Sequence, residues 1–173
     1  MGADSSEPVR LLLGESFEQF YRRNFRGLVA LTLCLSGSRA AAEDIAQDAM
    51  MSALSRWDEV CQLEQPVAWV RRVAVNRATS ISRRRMSELR ALLRLGSQRQ
   101  VIPSMPQPDE EVWAAVRQLP RRQRQCVALH YLLDCSVEET ARTLGCAEGT
   151  VKAHLHTARQ SLSRQLAEPE GLS

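Results

Sequence analysis

The chain has no run of 18 apolar residues, and its first residues, MGADSSEPVR, contain no long apolar stretch after a basic start. Neither a membrane-spanning helix nor an export signal is therefore expected. The protein reads as cytoplasmic, without membrane insertion, and with reduced thiols. Its five cysteines, Cys34, Cys61, Cys126, Cys135 and Cys146, are odd in number and form no paired framework. Neither C-x2-C nor H-E-x-x-H occurs, so His130, His154 and His156 beside the rear cysteines carry no metal signature, and no metal is expected. A Walker loop and a dinucleotide fingerprint are also missing, and Glu43 and Asp44 fall on an open helix surface. The chain is thus not expected to be an enzyme, and it has no catalytic residue or cofactor to assign. Glycine and proline are not abundant, and a 44% share of hydrophobic residues argues against a fully disordered chain. Lysine is nearly missing, at 1 against 22 arginines.

What is present is unevenly placed charge. Residues 1–70 carry 6 arginines against 10 acids, residues 71–99 carry 9 against 1, and residues 100–173 hold 8 basic residues against 9 acids. The net charge of +3 hides this division. An acidic front and a basic middle suit a protein that meets a basic partner surface and a polyanion at different places.

Helical periodicity dominates. Ser16 with Gln19 forms a capping-box pattern, after which Phe17, Phe20, Tyr21, Leu28, Leu31 and Leu35 make one apolar face. Gly37 and Ser38 interrupt it. A second helix over 39–57 turns Ala42, Ile45, Ala49, Ala53 and Trp57 inward, with Glu43, Asp44, Gln47 and Asp48 on its other side. The loop DEVCQLEQ, Asp58–Gln65, precedes a third helix whose first turn accommodates Pro66. Val70, Val73, Ala74 and Ile81 face its core. Its polar side presents Trp69, Arg72, Asn76, Thr79 and Arg83 at spacings of three and four. The pattern weakens after Ser87, and QRQVIPSMPQPD reads as a linker. The expected organisation is all-α: a first helical domain over 15–86, a flexible linker over 87–108, and a second helical domain over 109–167.

In the second domain Val112, Val116 and Leu119 mark a short helix closed by Pro120. The next runs through RQRQCVALHYLL and buries Cys126 or Val127, Leu129 and Leu133. Residues 136–162, SVEETARTLGCAEGTVKAHLHTARQSL, then read as two helices joined at Gly145. Ser136 and Glu139 form a second capping box, and Gly145 ends that helix in the left-handed conformation. Glu148 or Thr150 caps the last helix, whose Val151, Leu155, Ala158, Leu162 and Leu166 share one face. This is a helix-turn-helix. The opposite face presents Lys152, Ala153, His156, Thr157, Gln160, Ser163 and Arg164, with no acid among them, and such a helix suits the major groove. Glu148 lies at its entry end.

The segment LPRRQRQCVALHYLLDCSVEETARTLGCAEGTVKAHLHTARQSL resembles the fourth domain of bacterial RNA polymerase sigma factors. AEDIAQDAMMSALSRW and PVAWVRRVAVNRATSISRRR resemble their second domain. The two pieces, in this order and with nothing else, are similar to the extracytoplasmic-function (group IV) class. The resemblance implies a transcription initiation factor that binds core RNA polymerase, directs it to −10 and −35 promoter elements and helps open the DNA. On it, Glu43, Asp44, Gln47 and Asp48 dock on the polymerase clamp helices. The loop Asp58–Gln65 and the strip Trp69, Arg72, Asn76, Thr79 and Arg83, with Arg84, hold the melted non-template strand of the −10 element. Glu148, Lys152, His156, Thr157, Gln160 and Arg164 face duplex −35 DNA. An anti-sigma factor is a further candidate partner. Two features depart from the family pattern. Cys146 and Ala147 stand in the turn where a serine is frequent, and the −10 loop lacks an obvious base-capturing asparagine. A free-standing dimeric repressor would share the rear helix pair but leave the acidic helix and the arginine strip unused. A purely protein-binding regulator would leave both basic faces idle.

Overall fold

The computed structural model describes residues 15–94 and 110–167, and most of the expected linker, from residue 95 on, lies outside the described residues. Every element among them is helical. The first group comprises α1 (Phe17–Ser36), α2 (Arg39–Leu54), the single turn α3 (Trp57–Val60) and the long α4 (Pro66–Arg94). The second comprises α5 (Glu110–Gln118), α6 (Arg121–Val127), a π-helical turn over Ala128–Leu132, α7 (Val137–Leu144) and α8 (Glu148–Ala167).

Local chemistry sets the helix ends. Ser16 and Gln19 exchange side-chain and backbone hydrogen bonds at the start of α1. Gly37 ends α1 at φ +68°, where its N–H donates to the Leu33 carbonyl. The Ser38 hydroxyl then accepts from the Ala41 N–H and starts α2. The alanines at 42, 46, 49 and 53 are fully buried and let α2 lie close against α1. The buried Thr32 hydroxyl sits 2.8 Å from the Ala42 carbonyl across that contact.

Trp57 belongs to α3 rather than to the end of α2, because α2 stops at Leu54. Its ring packs at 5.3 Å from Phe17 and 5.0 Å from Phe20, which pins the start of the Asp58–Gln65 loop to α1. Part of that loop is therefore the helical turn α3. One further expectation fails at a helix end: Leu166, placed on the apolar face of α8, is 42% exposed, while Val112 lies in the expected helix α5 but is 41% exposed. Neither expected cap stands before α8. The helix opens at Glu148, and the Ala147 carbonyl accepts from the N–H groups of Thr150 and Val151.

The two groups of helices share one apolar core, running from Phe20, Leu31, Ile45, Met50 and Val70 through to Leu129, Val151 and Ala158. α4 packs on α1 and α2 with one side and on α7 with another. Gly27 of α1 permits a close approach by the second group: a Cβ there would stand 3.4 Å from a methyl of Leu133.

Candidate polymerase and nucleic-acid interfaces

The four polar residues of α2 are all exposed. Their side of the helix lies opposite the alanine face buried on α1, so packing against α1 is what turns them outward. Glu43 pairs with Arg39 at 3.0 Å, and Asp48 pairs with Arg77 of α4 at 2.9 Å. Arg77 also donates to the Ser52 hydroxyl, so it straps the middle of α2 to α4. Asp44 enters no ion pair among the described residues.

The strip on α4 is less open than its polar character suggested. Trp69 is half-buried against the core, with the Arg56 guanidinium 5.8 Å from its ring centroid. Arg72 is exposed and lies over Gly145, its terminal nitrogen 2.9 Å from where a Cβ on that glycine would stand. Asn76 is exposed. The Thr79 hydroxyl accepts a hydrogen bond of 3.1 Å from Gln125 of α6. Arg83 and Arg84 are exposed, and Arg83 faces Arg121 across a cavity.

The second helical group thus covers part of the strip. Two residues that make this contact escaped the periodicity reading: Arg71, which donates to the Cys135 sulfur at 3.2 Å, and Gln125, which is almost fully buried. The sequence does not separate Gln125 from Gln123 within the run RRQRQ, so neither residue was legible there. Arg122 holds the other end of the Gln125 amide at 3.3 Å.

The helix-turn-helix takes the expected form. Ser136 and Glu139 make the capping box, and the Ser136 N–H holds the Glu139 carboxyl below its ordinary range. Gly145 adopts φ +63° at the end of α7. On α8, Val151, Leu155 and Ala158 are buried, while Lys152, His156, Thr157, Gln160 and Arg164 are exposed on the opposite side with Glu148. His156 and Gln160 meet through their side-chain nitrogens at 3.1 Å, one turn apart. Glu148 and Lys152 lie 3.8 Å apart.

The histidines and cysteines do not converge: among the described residues no group of three or more His, Cys, Asp or Glu could hold a metal ion. The His130 Nδ1–H donates to the Cys135 carbonyl at 2.7 Å, a structural use that steadies the turn after the π-helical segment. Burial pushes the Cys34 and Cys126 thiols up to about 11, which keeps them protonated and unreactive at neutral pH. Among the described residues no helix is long and apolar enough to cross a membrane.

Comparison with known proteins agrees with this geometry at the level of the whole chain. The family description Sigma-70 region 2 matches residues 20–88, and Sigma-70, region 4 matches residues 109–162. The chain is 32% identical over 158 residues to the ECF RNA polymerase sigma factor SigM of Mycobacterium tuberculosis, covering 87% of this chain and 77% of that one. It is 29% identical over 163 residues to the RNA polymerase sigma-E factor of Streptomyces avermitilis, covering 87% and 84%. Among solved structures, the sigma factor RpoE in complex with the anti-sigma factor NepR from Bartonella quintana superposes with a TM-score of 0.75 at 27% identity, covering 87% of this chain and 96% of that one. CnrH in complex with the cytosolic domain of CnrY shares the fold, with a TM-score of 0.65 at 20% identity over 87% of each chain. The chain therefore belongs to the extracytoplasmic-function (group IV) sigma factors, non-catalytic proteins that bind bacterial RNA polymerase and recognise promoters.

Proposed function

We propose a division of labour among three surfaces of this chain. The exposed side of α2, with Glu43, Asp44, Gln47 and Asp48, docks on core polymerase. The Asp58–Gln65 loop and the α4 strip hold the melted non-template strand of the −10 element, and α8 reads the −35 duplex. The observation that carries the reading is the two-sidedness of α8. One side is sealed into the core by Val151, Leu155 and Ala158, and the other offers Lys152, His156, Thr157, Gln160 and Arg164 to solvent. A helix held rigidly from behind, with hydrogen-bonding side chains in front, fits the width of the major groove. Along α4, Arg72, Arg83 and Arg84 neutralise phosphates, and Asn76 meets a base edge or the backbone. Trp69 can stack a base only on the ring face that Arg56 does not cover, or after Arg56 moves away. Engagement of this strip requires Thr79 to leave Gln125, so the second helical group must move off α4 first. RpoE of Bartonella quintana is seen with an anti-sigma factor, and we assign this chain a dedicated anti-sigma partner by the same likeness.

The test is selection from a randomised −35 duplex by the polymerase-bound protein, repeated for Gln160→Ala, His156→Ala and Arg164→Ala at two salt concentrations. A base contact contributes roughly 1–3 kcal/mol of discrimination. Loss of a phosphate contact weakens all sequences about equally and flattens the salt dependence. Gln160 and His156 variants should change the preferred sequence, and the Arg164 variant only the overall affinity. If both Gln160→Ala and His156→Ala keep the parental preference, α8 does not read bases through them.

A further inference from the structure

Where α4 meets α6 there is a cavity of about 480 Å³, within the size range of small-ligand sites. Thr79, Ser82 and Arg83 line it from α4, and Arg121, Arg124 and Gln125 line it from α6. Among the described residues no aspartate or glutamate contributes to its wall. Among the described residues no carboxylate pairs with Arg83, Arg121 or Arg124, although most other ion pairs on this molecule are made by arginines. The arrangement differs from an ordinary basic surface because three arginines line one space and Arg83 lies near enough to Arg121 to act on its charge. Arg83 and Arg121 come from segments far apart in sequence and face the same space, where mutual repulsion opposes the closed pairing of the two helical groups. Burial and the neighbouring Arg83 and Arg122 hold the Arg121 guanidinium below its ordinary range, a sign of charge lacking compensation. The cavity wall is already fixed, since Gln125 is tied to Thr79 on one side and to Arg122 on the other.

We infer that this cavity is a binding site for a small polyphosphate-bearing anion, which bridges Arg83 of α4 to Arg121 and Arg124 of α6. Guanidinium groups bind phosphate oxygens through charge-assisted, often bidentate hydrogen bonds, and the Ser82 and Thr79 hydroxyls add neutral partners. Both walls contribute, so the anion binds the closed pairing better than the open one and stabilises it. Binding does not depend on the promoter reading of α4 and α8. A corollary does rest on that reading: an occupied cavity withholds Thr79 and Arg83 from −10 DNA.

Calorimetric titration of the full chain with sodium tripolyphosphate, against sodium sulfate at matched ionic strength, tests the site directly. Saturable one-to-one binding is expected, with affinity falling at least tenfold in Arg121→Ala and equally in Arg83→Ala, and by less than twofold in Arg22→Ala, a charge-matched control on exposed α1. Circular dichroism checks that each variant remains folded. Repeating the titration with ATP and GTP separates the sources of the phosphate. Equal affinity assigns inorganic or terminal polyphosphate, and tighter binding of one nucleotide assigns that nucleotide. Three results overturn the proposal: heats no larger than those of sulfate, equal weakening in Arg22→Ala, or weakening in Arg121→Ala with none in Arg83→Ala.

Discussion

Gly145 closes α7 at φ +63° and ψ +45°, beneath the guanidinium of Arg72, so a Gly145→Ala substitution meets two separate costs. The left-handed backbone costs an L-residue about 1–2 kcal/mol. The alanine also narrows the unfolded ensemble, which returns about 0.4–1 kcal/mol and leaves a net loss of about 1 kcal/mol. The second cost is steric: the new Cβ would stand 2.9 Å from the terminal nitrogen of Arg72 and 3.5 Å from its Cζ. That atom is the far end of a flexible, exposed side chain, and it can swing aside cheaply. The backbone term should therefore dominate. Thermal and urea unfolding of Gly145→Ala, Arg72→Ala and the double variant separate the two. A loss of about 1 kcal/mol, or about 2–4 °C in melting temperature, is expected in both backgrounds, with a coupling energy below about 0.5 kcal/mol. Gly145→Asn should lose less, because asparagine enters the left-handed region more readily. If the loss disappears in the Arg72→Ala background, the clash rather than the backbone sets the cost and the argument fails.

Three further outcomes follow from the same geometry. Asp44→Lys should reduce affinity for core polymerase about tenfold or more while leaving the melting temperature unchanged, since Asp44 is exposed and enters no ion pair among the described residues; pull-down titration against Asp48→Asn, which instead breaks the pair with Arg77, checks this. Thr143→Val should raise stability by about 1 kcal/mol in urea unfolding, because the Thr143 hydroxyl is buried with no hydrogen-bond partner among the described residues and valine keeps its shape. Alkylation at pH 7.5 (about neutral, where thiolate character decides reactivity) should label exposed Cys61 first and leave Cys34 and Cys126 untouched until unfolding. The folded Cys34 and Cys126 thiols sit near 11 against an ordinary 9.0, so above pH 9.0 the unfolded chain loses protons that the folded one keeps. Their contribution is complete below 9.0 and lost towards 11, and stability that stays flat across that window in urea titrations contradicts it.

Local signals were the most legible part of this chain. Both capping boxes and the left-handed Gly145 act within four residues, so the sequence alone displays them, whereas Gly37 showed only as a break. The buried face of α8 was equally readable as far as Ala158, because one helix face needs one period. Errors began where burial depends on something distant. Leu166 continues the period of α8 but stays 42% exposed. Val75 and Ala78 fit no single inward face of α4, yet both are buried. Val75 shares a ridge with Arg71 and Thr79, the two residues that bond to Cys135 and Gln125 of the second helical group. α4 thus has two packed sides, and periodicity read against a single core reports only one. The same blindness made the polar strip look open: Arg72, Asn76, Thr79 and Arg83 share a face whether that face meets water, DNA or another helix.

The character of that contact bears on how the strip becomes accessible. Its polar bonds join Thr79 to Gln125 and Arg71 to a thiol, so only one of the four groups is charged. Each such bond contributes about 0.5–1.5 kcal/mol net, because water replaces it on separation. Arg71 is only half-buried, and opening returns its charge to solvent rather than stranding it in the interior. The apolar share, with Leu133 close to Gly27, also resists separation. Facing arginines at the cavity push in the opposite direction. A pairing built this way can be biased by anything that adds or removes negative charge at Arg83 and Arg121. If promoter phosphates take Arg83 once Thr79 has left Gln125, as proposed, they and an anion bridging both cavity walls act on one equilibrium with opposite sign.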